Sequence, residues 1–327
     1  MSISTFRFST LFILLIGIVF PVSNSFAQSD TKKMMADTME ETQEEELATR
    51  APRETDGQLA WKFTEGLSIK IDMDQTTTIG MMIGEQPVNT TTKAVNELSL
   101  NITSVDGEGV ASAVNTIDRM VVSTKTPALT FEFDSNNEDD GEGPAAQMAQ
   151  MIRPMVGQPM TQKMRANGEV FDVTVPAEAL KGMNANPQTA GMFSEKKFQE
   201  MATKGSLVFP EPNLEVGRSW TVSQAMDMGV MKVNTSTEYT YRGVADVDGK
   251  PMHVVVGDLT MEFPGNGGPD IEITEQDAAI TFYFDGVAGR MAKSELDQDM
   301  KMVVRAGGQE ITQKIKQSLI MTMTVVE

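Results

Sequence analysis

From Trp61 onward the chain alternates apolar and polar residues with a period of two. In "LSIKIDMD", Leu67, Ile69, Ile71 and Met73 share one face, while Ser68, Lys70, Asp72 and Asp74 share the other. In "MAKSELDQDMKMVV", Leu296, Met300, Met302 and Val304 oppose Lys293, Glu295, Asp297, Asp299 and Lys301. The last such run, "EITQKIKQSLIMTMTV", sets Ile311, Ile315, Leu319, Met321, Met323 and Val325 against Thr312, Lys314, Lys316, Ser318, Thr322 and Thr324. Alternation of this kind predicts antiparallel strands with one buried and one wet face. Several runs are much longer than an ordinary strand. Turn pairs at Asp106-Gly107, Asp248-Gly249 and Gly307-Gly308 predict a meander of hairpins.

Helical spacing is confined to the middle of the chain. "GPAAQMAQMIRPMVG" places Met148, Met151 and Met155 at helical intervals, with Pro154 as the stop. "SEKKFQEMATKG" begins with Ser194 as a candidate cap and ends at Gly205. "PAEAL", from Pro176 to Leu180, predicts one further turn, and "NGEVFDVTV" a turn and a strand.

Short stretches recur. "TEGLSI" and "EVGRSW" align Gly66 with Gly217, and "TFEFDS" matches "TFYFDG" at the same offset of 151 (281 against 130). "SVDGEGV" matches "DVDGKPM" at 142 (246 against 104), the difference falling on the loop around "IGMMIGEQP". Three matches in one order point to a duplicated unit. A helical insert over residues 136–160 interrupts the first copy. The predicted class is therefore α+β and β-dominated. Two related units of long antiparallel strands form a curved meander or half-barrel, with a few central helices packed on the apolar face. Residues 59–205 make the first unit and 206–327 the second. By analogy of fold alone, periplasmic lipoprotein carriers have such a sheet.

The N-terminus changes the picture of where this protein works. Arg7, the apolar run Leu11–Phe20 and Ser25-Phe26-Ala27 read as a secretory signal over residues 1–27, predicting an exported, periplasmic or secreted protein. Residues 28–58, with "EETQEEE" and no aromatic, read as an acidic disordered tether. The chain has no cysteine, hence neither a disulfide nor a thiol for lipidation. A net charge of −19 repels nucleic acid and anionic headgroups, and no later run predicts stable membrane insertion once the signal is removed.

The order "WKFTEG" (61–66), "QKMRANGEVFDV" (162–173), "FSEKKFQEM" (193–201) and "LVFPEPNLEVGRSW" (207–220) resembles an uncharacterised family of exported bacterial proteins. The resemblance implies export and a β-rich architecture. It brings no activity and no site residues.

Candidate chemistry is sparse. With no cysteine, a single histidine and no nucleophile, zinc or phosphate motif, the chain reads as a non-enzyme with no cofactor. His253 lies in "KPMHVVVGDL" and reads as a surface or half-buried strand residue. The acidic stretch Asp134–Gly143 carries oxygen ligands, but a calcium loop counted from Asn136 has Gln147 where the bidentate acid belongs. Acceptor triplets at Asn89, Asn101 and Asn234 are as common as wet strand faces make them. Methionine is the anomalous count, at 26. The candidate ligand-lining set is Met148, Met151, Met155, Met300, Met302, Met321 and Met323. Three readings remain: pliable core, an adaptable groove for a hydrophobic small molecule, lipid or peptide, and a Cu(I) cluster with Met148, Met151 and Met155. The leading expectation is a binding protein with a Met-lined interior. The alternative is an envelope structural protein, with a packed core and protein partners.

Overall fold

The computed structural model describes residues 48–326, apart from 84–85, 140–141, 184–194, 205, 228–231, 266–269 and 307. The predicted signal segment, residues 28–47 of the tether and the helix-capping residues Ser194 and Gly205 lie outside the described residues. Residues 49–327 form one unit.

The alternating runs become strands. In chain order they are β1 (Ser68–Ile83), β2 (Gln86–Val105), β3 (Ala111–Lys125), β4 (Thr130–Asp134), β5 (Met160–Met164) and β6 (Val170–Thr174). After them come β7 (Ser219–Asp227), β8 (Lys232–Val247), β9 (Lys250–Glu262), β10 (Asp270–Asp285), β11 (Arg290–Ala306) and β12 (Gln309–Val325). Among the described residues, three α-helices fall where helical spacing places them: α1 (Pro144–Ile152), α2 (Ala177–Met183) and α3 (Glu195–Lys204). Pro144 sits in the first turn of α1, where its missing N–H costs nothing, and the helix ends before Pro154.

All twelve strands belong to one open sheet in the order β6-β5-β3-β2-β1-β12-β11-β10-β9-β8-β7, with β4 attached to β3. Every pairing between strands is antiparallel. The class read from the sequence is the class observed. The two halves meet at β1 and β12, which pair from Ile69↔Val325 to Met81↔Gln313. α1 packs on β4 and α2, and α3 lies along β6.

The register places the matched stretches in the sheet. Gly66 and Gly217 both have left-handed φ, 84° and 87°, and each enters its strand by donating its N–H to a neighbouring strand, at Ile102 O and Tyr241 O. The match between "TFEFDS" and "TFYFDG" fails. "TFEFD" is β4, paired with the far end of β3, at Val121–Lys125. "TFYFD" pairs with the start of β9, where His253 faces Phe284. At the "VDG" offset His253 corresponds to Ala111, and Ala111 faces Met164 of β5. At that offset, therefore, β5 pairs with β3 as "TFYFD" of β10 pairs with β9.

One apolar cluster gathers Leu59, Trp61, Leu207, Phe209, Leu214, Tyr241, Val255, Phe282, Phe284 and Met291. A second holds Ile69, Ile71, Leu100, Ile102, Ala111, Ala113, Met164, Val170 and Val173. Phe63, Met321 and Met323 pack against both. Trp61 donates its backbone N–H to Ala166 O, and Lys62 to Gly289 O, so one short segment ties the corresponding β5–β6 and β10–β11 turns together.

Two expectations are corrected. The tether gives way to packed chain by Arg50, whose backbone exchanges two 2.8 Å hydrogen bonds with Val244. His253 is only 3% exposed, because residues 50–57 cover the face of β9 that alternation leaves wet.

Candidate functional site

The buried face of the sheet can be read row by row from the register. One row crosses five strands as Thr124, Thr92, Thr77, Gln317 and Gln298, each directly opposite the next. All five are buried. The following row holds Val122, Ala94, Gln75, Leu319 and Leu296, and the one beyond it Met120, Asn96, Met73, Met321 and Ser294. A polar row therefore crosses the face from β3 to β11, and the two rows beside it add Gln75, Asn96 and Ser294 among apolar residues, a polar belt within a largely apolar face. To one side lie Ile69, Ile71 and Leu100. To the other lie Ile79, Met81, Ile315, Met300 and Met302, with the buried Gln313 standing opposite Met81 and Met302.

The belt is partly satisfied from within. The hydroxyls of Thr92 and Thr124 are 3.1 Å apart, and Gln75 Nε2 donates to Thr77 Oγ1 at 3.2 Å. Gln317 Oε1 and Asn96 Oδ1 are buried and find no hydrogen-bond partner, as does Asn115 Oδ1 on β3. Gln317 is 7% exposed and Asn96 3%. A buried acceptor left unpaired costs about 1–3 kcal/mol, so such groups are few in native proteins. The belt contains no charged side chain, and its free groups are carbonyl oxygens. Its amides and hydroxyls donate as well as accept, and the two buried acceptors left unpaired, Gln317 Oε1 and Asn96 Oδ1, can take a hydrogen bond from a neutral donor.

The methionines of the sequence reading do not form one cluster. Met148 is buried on α1, which also carries Met151, and Met155 follows the helix half-buried. Met300 and Met302 are buried on β11. Met321 and Met323 lie on β12 opposite Met73 and Ile71. Met300 faces Ile315, six residues along β12 from Met321, a separation of about 20 Å at the rise of a strand. Met321 stands in the row of Asn96 and Ser294, at the edge of the belt, with Met323 beyond it and Met300 and Met302 on the belt's other side. The belt was absent from the sequence reading, although the apolar series on β12 skips Gln317 and that on β11 skips Gln298. Those two gaps face each other.

A second polar cluster is buried under residues 50–57. Asp56 accepts from Arg50 Nη1 at 2.5 Å and Nη2 at 2.8 Å, and from the Arg53 backbone N–H at 2.7 Å. The Arg50 guanidinium holds the Asp56 carboxyl down at about 2. Tyr241 Oη and His253 Nδ1 are 2.7 Å apart, and His253 Nε2 lies 3.3 Å from Asp56 O. A neutral ring with the proton on Nε2 satisfies both contacts, since Nε2–H donates to the carbonyl and Nδ1 accepts from the phenol. Burial lowers the His253 pKa and raises that of Tyr241. The groups of this cluster bond to one another.

In the acidic Asp134–Gly143 stretch, of which residues 140–141 lie outside the described residues, the Asp134 carboxylate and two backbone carbonyls are held by arginines of the protein itself. Arg119 binds the Asp134 carboxylate at 3.1 and 2.6 Å, and Arg153 donates to Ser135 O and Asn137 O. Among the described residues, no group of three or more acids or histidines is placed to hold a metal. Between β9 and β10 the pairing stops at Ala279↔Asp258, leaving an open cleft of about 460 Å³ lined by Met261, Phe263, Ile271 and Ile273 among others. There Gln276 bridges the gap, donating to Leu259 O at 2.8 Å and accepting from Met261 N–H at 3.1 Å.

Residues 109–250 match the model of a family described as a family of unknown function (DUF6263). The resemblance to an uncharacterised family therefore stands over that stretch. No curated protein matches the chain. Among solved structures, a chain from "lipid-protein interactions in lipovitellin" is similar at 10% identity and a TM-score of 0.44, over 80% of this chain. The chain spans 26% of that lipovitellin chain's length. An outer membrane channel from Pseudomonas putida F1 is similar at 9% identity and a TM-score of 0.21, covering 81% of this chain and 97% of its own. A DUF1329 family protein from Desulfovibrio piger is similar at 12% identity and a TM-score of 0.13, covering 76% and 84%.

Proposed function

We propose that this is an exported, non-enzymatic binding protein, which holds a hydrophobic small molecule, lipid or peptide along the methionine-bearing buried face of its sheet. One observation carries the reading. A single face, continuous across the β1–β12 junction, is apolar on both sides of a polar belt and bears methionine in both apolar zones. Methionine's unbranched thioether fills irregular space and repacks at little cost, which suits a face that must accept guests of variable shape. The belt's unpaired acceptors support the same reading, because a fully self-sufficient core has no use for them.

The two tryptophans supply the assay. Trp61 belongs to one apolar cluster and Trp220 packs against it. Titration of the purified, delipidated protein with methyl octadecanoate is expected to change their fluorescence saturably, with about one ester per chain. An envelope protein with a fully packed core and only protein partners gives no saturable change, and that outcome would remove the binding reading.

A further inference from the structure

We infer that the polar belt is a specificity subsite, selecting amphiphiles that carry a neutral hydrogen-bond donor, a hydroxyl or an amide N–H, within an otherwise apolar chain. The inference rests on the binding reading above and narrows its ligand class. Gln317 and Asn96 each present a buried carbonyl oxygen with no partner, two rows apart on the same face. Their neighbours Thr77, Thr92, Gln75 and Gln298 are neutral as well. Without a nearby cation, a carboxylate or phosphate at this level would be desolvated and uncompensated. A neutral donor instead removes the cost of the unpaired oxygens, which a plain hydrocarbon leaves in place.

The rows also set where along the ligand the donor should lie. From Thr77 the buried face of β1 runs to Ile69 in one direction and to Met81 in the other. At the rise of a strand these are about 26 Å and about 13 Å. The donor should therefore divide its chain unequally, with one apolar arm roughly twice the other.

Native mass spectrometry of the purified protein, offered methyl 12-hydroxyoctadecanoate and methyl octadecanoate in competition, tests this. The hydroxyl of the first ester stands a third of the way from one end. The wild type is expected to prefer the hydroxylated ester by about tenfold, the worth of one hydrogen bond to a buried acceptor. Gln317→Leu and Asn96→Leu, which keep volume and remove the acceptor, are expected to shrink that preference while still binding methyl octadecanoate. Lys316→Gln, exposed on the opposite face, is expected to leave it unchanged. Equal binding of the two esters by the wild type, or an undiminished preference in both leucine variants, overturns the subsite and leaves the binding reading standing. Binding of neither ester overturns both.

Discussion

Asp56 carries the strongest single-residue expectation. Its carboxyl is buried and held at about 2 by Arg50 and the Arg53 N–H. An unfolded Asp titrates near 3.9. A depressed folded pKa stabilises above the unfolded value, and that contribution is lost as pH falls through about 4 towards 2. Asp56→Asn should therefore cost about 1–2 kcal/mol at pH 7, discounted because Arg50 is partly solvated, and the difference from wild type should vanish near pH 2 in urea denaturation. His253 works in the same direction by another cause. Burial keeps it neutral, whereas the unfolded chain takes a proton near pH 6.5, so stability should fall as pH drops below 6.5. His253→Gln should flatten that part of the profile of Tm against pH; an unchanged slope would contradict the neutral buried ring. Neither residue was legible as packed. The stretch "RAPRETDGQ" has the composition of a tether, and only the strand exchange of Arg50 with Val244 shows that it is part of the fold.

The elements themselves were legible where burial is one-sided. β1, β11 and β12 follow their alternation closely, and α1 stops where Pro154 requires. Legibility failed where both faces of a strand are covered. Residues 252–255 of β9 are buried without interruption, so the period of two no longer reports which side is wet. It failed again at "TFEFDS", where a short strand motif recurred by accident and pairing rather than wording decided its place. The contact between Arg50 and β8 also gives an element-scale prediction. Gly243 has φ of 105°, and a Cβ there would collide with Arg50 O. Gly243→Ala should cost about 1–3 kcal/mol and speed tryptic cleavage after Arg50 and Arg53. Gly107→Ala, with open space around it, should cleave as the wild type does.

At the scale of the molecule, alternation foretold a β-dominated chain of long antiparallel strands, but not that twelve strands share one open sheet whose halves meet at β1 and β12. That junction joins the first strand of the repeat to the last strand of the chain, and no local pattern encodes a contact of such sequence separation. The belt was half legible: Gln298 and Gln317 interrupt two apolar series at matching positions, and only the register shows that the interruptions meet. Their meeting turns two apparently faulty strands into one feature crossing the sheet, and it moves attention from methionine count to methionine placement. The central claim is that this face holds a guest. Mild solvent extraction of the purified protein, with mass analysis of the extract, tests it most directly. Near-stoichiometric recovery of an apolar molecule bearing a neutral hydroxyl or amide is expected. An extract empty of any such molecule, from protein that also takes up no added ester, would contradict it.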